Sequence, residues 1–255
     1  MSDSLWQFHE KAIVDDHKRQ SLNGNADCLF YIPGVDCPHC GRSFGSTSQF
    51  AFNCPESILE EVRNVDRKTP CCNLEQWQEY VNRWKKAFPS EWKNLAIEPG
   101  TGFQPYQWAI RKIRETDLFW PGSTPIISER LQRVLLKNKV TGASLHQVVD
   151  KKANPLCYYN LLLLNDPRTD FWKKESLLVD HCEHCGYEQY RQVKGQQKGY
   201  NQLVRKGEIP RKYIPEYEMF TSHIFNGFIV TPRVYDLIKN LDFANCEVRE
   251  LTVID

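Results

Sequence analysis

Two short stretches of this sequence carry the same chemistry. CPHCG occupies residues 37–41 and CEHCG occupies 182–186, each with a Val-Asp lead-in, as VDCPHCG and VDHCEHCG. A Cys-x-x-Cys turn places two sulfurs on one side of a tight loop, and the following Gly41 or Gly186 tolerates the left-handed backbone such a knuckle usually needs. Two knuckles supply the four thiolates of a closed tetrahedral zinc site. Cys37, Cys40, Cys182 and Cys185 are therefore the candidate ligands of one Zn2+, although 141 residues lie between Cys40 and Cys182. Four protein ligands leave no position for a bound water, so such a metal is structural and not catalytic. A redox dithiol pair, or two buried thiol pairs without metal, are the alternative readings. The redox reading asks for a nucleophilic cysteine at a helix start, which Pro38 and Glu183 do not enforce.

The remaining candidates for chemistry are weaker. His39, His181 and His184 lie in or beside the knuckles and are read as solvent-facing in preference to spare ligands. Cys54 and the vicinal pair Cys71-Cys72 could hold a second metal, but free buried thiols are the plainer reading. His9, His146 and His223 are isolated, and no base is recognisably paired with a nucleophile. EPGTGFQPYQ (98–107) is glycine-rich but lacks the Gly-Lys-Ser/Thr end of a phosphate loop, so it reads as a rigid turn. The expectation is a protein that is not an enzyme.

Bulk properties narrow the class. The chain has 255 residues, 41% hydrophobic and 25% charged, with a net charge of +1. No global field points to nucleic acid or an anionic membrane. No apolar run reaches membrane-spanning length; LCYYNLLLL (156–164) falls short. The first twenty residues show no basic-then-apolar leader pattern. For a bacterial protein the expected location is the cytoplasm, where reduced thiols favour metal binding or burial over disulfides.

Several elements must position the knuckles. NLEQWQEYVNRWKKAF (73–88) predicts a helix capped by Asn73, with Leu74, Trp77, Val81, Trp84 and Phe88 on one face and Pro89 ending it. A shorter helix is predicted over 56–63 behind Pro55. IISERLQRVLLKN (126–138) resembles IVTPRVYDLIKNL (229–241), with Ser128 matching Thr231 and Arg130 matching Arg233. Each copy reads as a short strand, a Ser or Thr cap, a helix, and then an alternating strand, ASLHQVV (143–149) or CEVRELTV (246–253). NPLCYYNLLLLN (154–165) reads as a buried strand, and the basic, tyrosine-rich segment 187–213 as a solvated loop.

The expected fold is α+β: a mixed sheet with flanking helices and a zinc-ribbon-like double knuckle, in one compact domain over 1–255. Residues 31–54 and 177–192 would form the zinc-knuckle subregion, and 120–150 and 225–255 the two strand–helix–strand repeats. Trp77, Trp84, Leu131, Leu135, Leu237 and Ile238 are the expected core.

Taken together, the two CxxCG knuckles, PGTGF (99–103) between them, and the C-terminal FNGFIVTPRVYDLIKNLDFANCEVREL (225–251) resemble the double-CXXCG motif immunity proteins, first recognised in myxobacteria. The order of these features matches from about residue 30 to the C-terminal end. The resemblance implies an antidote of a bacterial polymorphic toxin system that binds and occludes a cognate protein toxin. It places the family's knuckle cysteines at Cys37, Cys40, Cys182 and Cys185, and carries over no catalytic residue. Such partners meet through charge complementarity. The acids of ESILEEVRNVD (56–66) with Asp15-Asp16 would suit a basic toxin, and 187–213 an acidic one. The alternative is a zinc-ribbon module that binds nucleic acid or acts as a regulator. The near-zero net charge and the absence of a basic recognition helix speak against it. The sequence leaves the oligomeric state open.

Overall fold

The structure is a computed structural model. It describes residues 4–10, 25–45, 49–64, 74–93, 97–109, 116–121, 124–163, 177–185, 187–191, 196–222 and 225–255. Strands β1 (Ser4–Glu10), β2 (Asn25–Tyr31), β3 (Val35–Cys37), β4 (Arg42–Phe44) and β5 (Gln49–Asn53) precede helices α1 (Glu56–Asn64) and α2 (Leu74–Trp84). Strands β6 (Gly102–Ala109), β7 (Leu118–Phe119) and β8 (Ile126–Ser128) lead into α3 (Glu129–Lys137). Strands β9 (Ala143–Val149), β10 (Pro155–Leu163), β11 (Leu177–His181) and β12 (Glu188–Arg191) lead into α4 (Gln196–Lys206). The order ends with β13 (Glu208–Pro210), β14 (Met219–Phe220), β15 (Phe228–Val230), α5 (Pro232–Ile238) and β16 (Cys246–Ile254). The fold is α+β with mixed sheets. Among the described residues no helix is long and apolar enough to cross a membrane.

Where the sequence reading has one domain over 1–255, the fold groups the chain into two compact units. The first comprises Met1–Ala26, Trp108–Leu177 and Tyr190–Asp255, and the second Asp27–Gln107 and Leu178–Gln189. Both knuckles belong to the second unit.

The core of the second unit is aromatic. Helix α2 buries Trp77, Val81 and Trp84, and Phe88 follows after a 3-10 turn at Lys85–Ala87. Helix α1 buries Ile58 and Val62 in the same cluster, with Phe30, Ile32, Phe50 and Phe103 from β2, β5, β6 and their flanks. The predicted cap Asn73 lies outside the described residues. Arg83 forms an ion pair with Glu61 of α1 and sits over Tyr80, so it links two helices. Only the first part of the expected 98–107 turn is a turn. Gly102–Ala109 is a strand that buries Phe103, Tyr106 and Trp108, and Pro105 had masked its alternation.

In the first unit the proposed repeat is visible in backbone pairing. Leu118 lies opposite Ile127, and Met219 lies opposite Val230. Ser128 N donates to Asp117 O at 2.9 Å, and Thr231 N donates to Glu218 O at 3.0 Å. In each repeat the arginine two residues after the cap grips the acid that opens the paired strand. Arg130 binds the Asp117 carboxylate through Nε and Nη2. Arg233 binds Glu218 in the same forked manner, at 2.6 and 2.8 Å. Each acid also reaches into the other repeat. Asp117 accepts from Asp242 N at 2.9 Å, and Glu218 accepts from Thr141 N at 3.2 Å. The two copies are therefore interlocked. Gly142 has φ +92°, and a Cβ there would come within 2.0 Å of Met219 O, so this crossing needs glycine.

Some expectations change. Ser128 caps α3, accepting from Leu131 N at 3.2 Å, but Thr231 makes no side-chain cap bond at α5. Leu131, Leu135 and Ile238 are buried, whereas Leu237 is half-buried against the same cluster. The supposed loop 187–213 contains β12, α4, β13 and a 3-10 turn at Arg211–Tyr213. Gly199 and a mainly polar face had hidden the helix. Its end is fastened by Arg249, whose guanidinium donates to Val204 O and Arg205 O.

Candidate metal centre

Each knuckle is the turn of a small hairpin. Strands β3 and β4 pair antiparallel with Cys37 opposite Arg42, and Gly41 N donates to Cys37 O at 2.8 Å. Gly41 has φ +66°, as the knuckle reading expects; Gly186 lies outside the described residues. The second knuckle joins β11 to β12, with Cys182 N donating to Tyr187 O at 2.9 Å and Cys185 N to Cys182 O at 3.3 Å.

The structure brings the four predicted cysteines together. Cys37 Sγ is 4.0 Å from Cys182 Sγ, and Cys40 Sγ is 3.8 Å from Cys185 Sγ. All four sulfurs lie within 4.8 Å of one another. A zinc–sulfur bond of about 2.3 Å sets tetrahedral sulfurs about 3.8 Å apart. A disulfide needs its sulfurs at about 2.05 Å. The spacing thus fits four thiolates around one ion, and the set can hold a metal ion such as zinc. Cys37, Cys182 and Cys185 belong to the aromatic core cluster, and Cys40 is half-buried at its edge.

The electrostatics favour a cation at the centre. Backbone N–H groups, first that of Cys40 and then that of His39, hold the Cys37 thiol down at about 7 against the effect of its burial. Burial pushes Cys185 up to about 12 and also raises Cys40. Cys37 is thus easier to ionise than an ordinary thiol, and Cys40 and Cys185 are harder. A divalent metal supplies the charge that lets all four ionise, and binding then releases protons.

Other residues clamp the knuckles to each other. Arg42, just after the first knuckle, reaches Asp180 of β11 at 2.8 Å and Gln189 of β12 at 3.3 Å. Its guanidinium lies 4.5 Å from the centroid of the Tyr187 ring, whose edge also meets Phe44. The sequence reading missed this clamp. Its only trace is that GRSF and GYEQY occupy equivalent places after the two knuckles. His39, His181 and His184 are exposed as expected, and the rings of His39 and His184 meet with centroids 4.0 Å apart. The PGTGF turn braces the entry to the first knuckle. Ile32 N donates to Thr101 O at 2.8 Å and Gly100 N to Pro33 O at 3.2 Å. A Cβ on Gly102 would lie 2.5 Å from Cys28 Sγ, which explains the second glycine of the motif.

Of the possible second metal set only Cys54 lies among the described residues. Cys54 is buried, with its thiol pushed up to about 11 by that burial, while Cys71 and Cys72 lie outside the described residues. His146, isolated in the sequence, shares a 2.6 Å hydrogen bond with Ser144 two residues away on β9. His223 is not described. Neither the family models nor the curated proteins give a match to this chain.

Proposed function

We propose that this protein is an immunity protein. It would neutralise a cognate bacterial toxin by binding and occluding it in the cytoplasm, without catalysis, on a scaffold fixed by one structural zinc ion. The observation that carries the reading is the convergence of Cys37, Cys40, Cys182 and Cys185 into one four-sulfur cluster. This is the arrangement the double-CXXCG resemblance requires of two knuckles so far apart in sequence. A closed four-ligand site supports a scaffold role for the metal, because it offers no open position for substrate. The acidic helix α1 and the basic residues of 187–213 are the two surfaces through which charge complementarity would act.

The test is growth protection. The chain is co-expressed with each candidate toxin domain found among the neighbours of its gene, and survival and a stoichiometric complex are scored. Protection by the native chain, lost in Cys182→Ser, is the expected result. Toxicity undiminished by well-folded, metal-loaded protein would contradict the proposal. Tight, salt-dependent binding to DNA or RNA in its place would favour the nucleic-acid alternative.

A further inference from the structure

Beyond the strand–helix–strand pattern and the paired strands β7 and β14, each repeat of the first unit contains one further strand. In the first repeat β10 lies between β8 and β9; in the second β1 lies between β15 and β16. The registers coincide. Tyr159 lies opposite Ile127 and Gln147, and Trp6 lies opposite Val230 and Glu250. From Ile127 to Val230 and from Gln147 to Glu250 the shift is 103 residues, the same shift that relates Ser128 to Thr231. Tyr159, Asn160 and Leu161 therefore correspond to Trp6, Gln7 and Phe8. Asn160 and Gln7 are both buried amides, at 0% and 5% exposure, an uncommon residue class to recur by chance at matching positions. Leu161 and Phe8 enter the same apolar cluster.

The two middle strands reach their places differently. Strand β10 follows β9 through a turn in which the Asp150 carboxylate accepts from Lys152 N and Asn154 N. Strand β1 comes from the opposite end of the sequence, and no turn links it to β15 or β16. We infer that the second repeat is a circular permutant of the first. On this view β15 and β16 form a strand-acceptor slot for a separately delivered extended peptide, filled here by residues 4–10.

The slot specifies both faces of its occupant. On one face Leu5 packs with Ile229 and Leu251, and Gln7 Nε2 donates to Asn226 O at 2.8 Å. On the other, Trp6 stacks on Tyr235 with centroids 3.7 Å apart, and Phe8 stacks on Phe228 at 5.1 Å. The strand backbone rests on Gly227, where a Cβ would lie 2.0 Å from Phe8 O. Main-chain pairing supplies affinity in such strand addition, and alternate side chains supply selectivity.

The test uses a permuted full chain: residues 11–255, one glycine, then residues 1–10. Joined directly, six residues would separate Thr252 from Ser4, whereas seven (150–156) separate their counterparts Val149 and Cys157. One glycine makes the two turns equal. The permutant is expected to keep the parent's circular dichroism and metal content and to melt within a few degrees of it. A second measurement uses full-length Phe8→Asp, whose own strand no longer fits. Synthetic peptide MSDSLWQFHE should raise its melting temperature by several degrees, and the same peptide carrying Phe8→Asp should not. A permutant without the native spectrum, or a Phe8→Asp chain whose melting is unmoved by saturating native peptide, overturns the inference. Neither readout involves a toxin, so its failure is separate from failure of the immunity reading.

Discussion

The two units each join a pair of similar segments, by different means. In the second unit two knuckles meet through four sulfurs, with Arg42, Asp180 and Tyr187 closing around them. In the first unit two strand–helix–strand copies meet through Asp117 and Glu218, each forked to the arginine of its own copy while accepting a backbone N–H of the other, and through a shared apolar cluster. If a metal joins the knuckles, they depend on something the chain must acquire, because three buried thiols and one half-buried thiol gain little from one another. The repeats depend on groups already charged at neutral pH and on buried hydrocarbon. Metal removal should therefore act on one unit alone, whereas acid should weaken the carboxylate forks of the other and also return protons to the metal-binding thiols.

The largest expected effect is at the knuckles. Cys182→Ser should abolish metal binding and cost about 5 kcal/mol or more, since structural zinc binding is folding free energy. Hydrogen exchange would show the loss concentrated in β3, β4, β11 and β12, while the amides of β1 and β16 keep their protection. Equal acceleration in both units would erase the contrast.

The two forks should then separate from each other. The Asp117 side chain is 6% exposed and that of Glu218 is 22% exposed. Asp117→Ala leaves Ser128, Arg130 and Asp242 N without their acceptor and should cost about 3 kcal/mol in urea unfolding. Glu218→Ala should cost about 1 kcal/mol, nearer to a surface pair. A reversed order would mean that burial does not set the strength of the forks.

Acid should loosen the first unit by the same groups. Burial would raise the Asp117 carboxyl, but hydrogen bonds from Arg130, Ser128 and Asp242 hold it below its ordinary value, and Arg233 does the same for Glu218. Both groups are depressed in the folded state. Their contribution is thus complete above the unfolded carboxylate pKa, about 4, and is lost as pH falls through the lower folded values. The urea midpoint should fall below about pH 4, and less steeply in Asp117→Asn.

The smallest contrast is between the helix caps. Ser128→Ala removes the bond from Leu131 N and the one donated to Asp117 Oδ1, and should cost about 1–2 kcal/mol. Thr231 Oγ1 is buried without a partner among the described residues, so Thr231→Val should be close to neutral by thermal melting.

How much of this was readable in sequence follows from the range of each interaction. The knuckles were legible because ligand type, spacing and glycine are all local. The α2 face was legible because Trp77, Val81 and Trp84 recur at helical period. The repeats were legible only from Ile126 and Ile229 onward. Asp117 and Glu218 precede their helices by more than ten residues, and the intervening lengths differ between copies. The correspondence of β1 with β10 was hidden because permutation moved one member to the other end of the sequence. Arg42 was not recognised as a clamp because its partners Asp180 and Gln189 lie about 140 residues away, on the other hairpin.

The central claim is that four cysteines from two distant knuckles share one metal ion. The most direct test is X-ray absorption on metal-loaded protein, with elemental mass spectrometry on the same sample. One zinc per chain surrounded by four sulfurs at about 2.3 Å is the predicted result. No bound metal, or a zinc shell of nitrogen and oxygen ligands, would contradict it and reopen the redox reading of the knuckles.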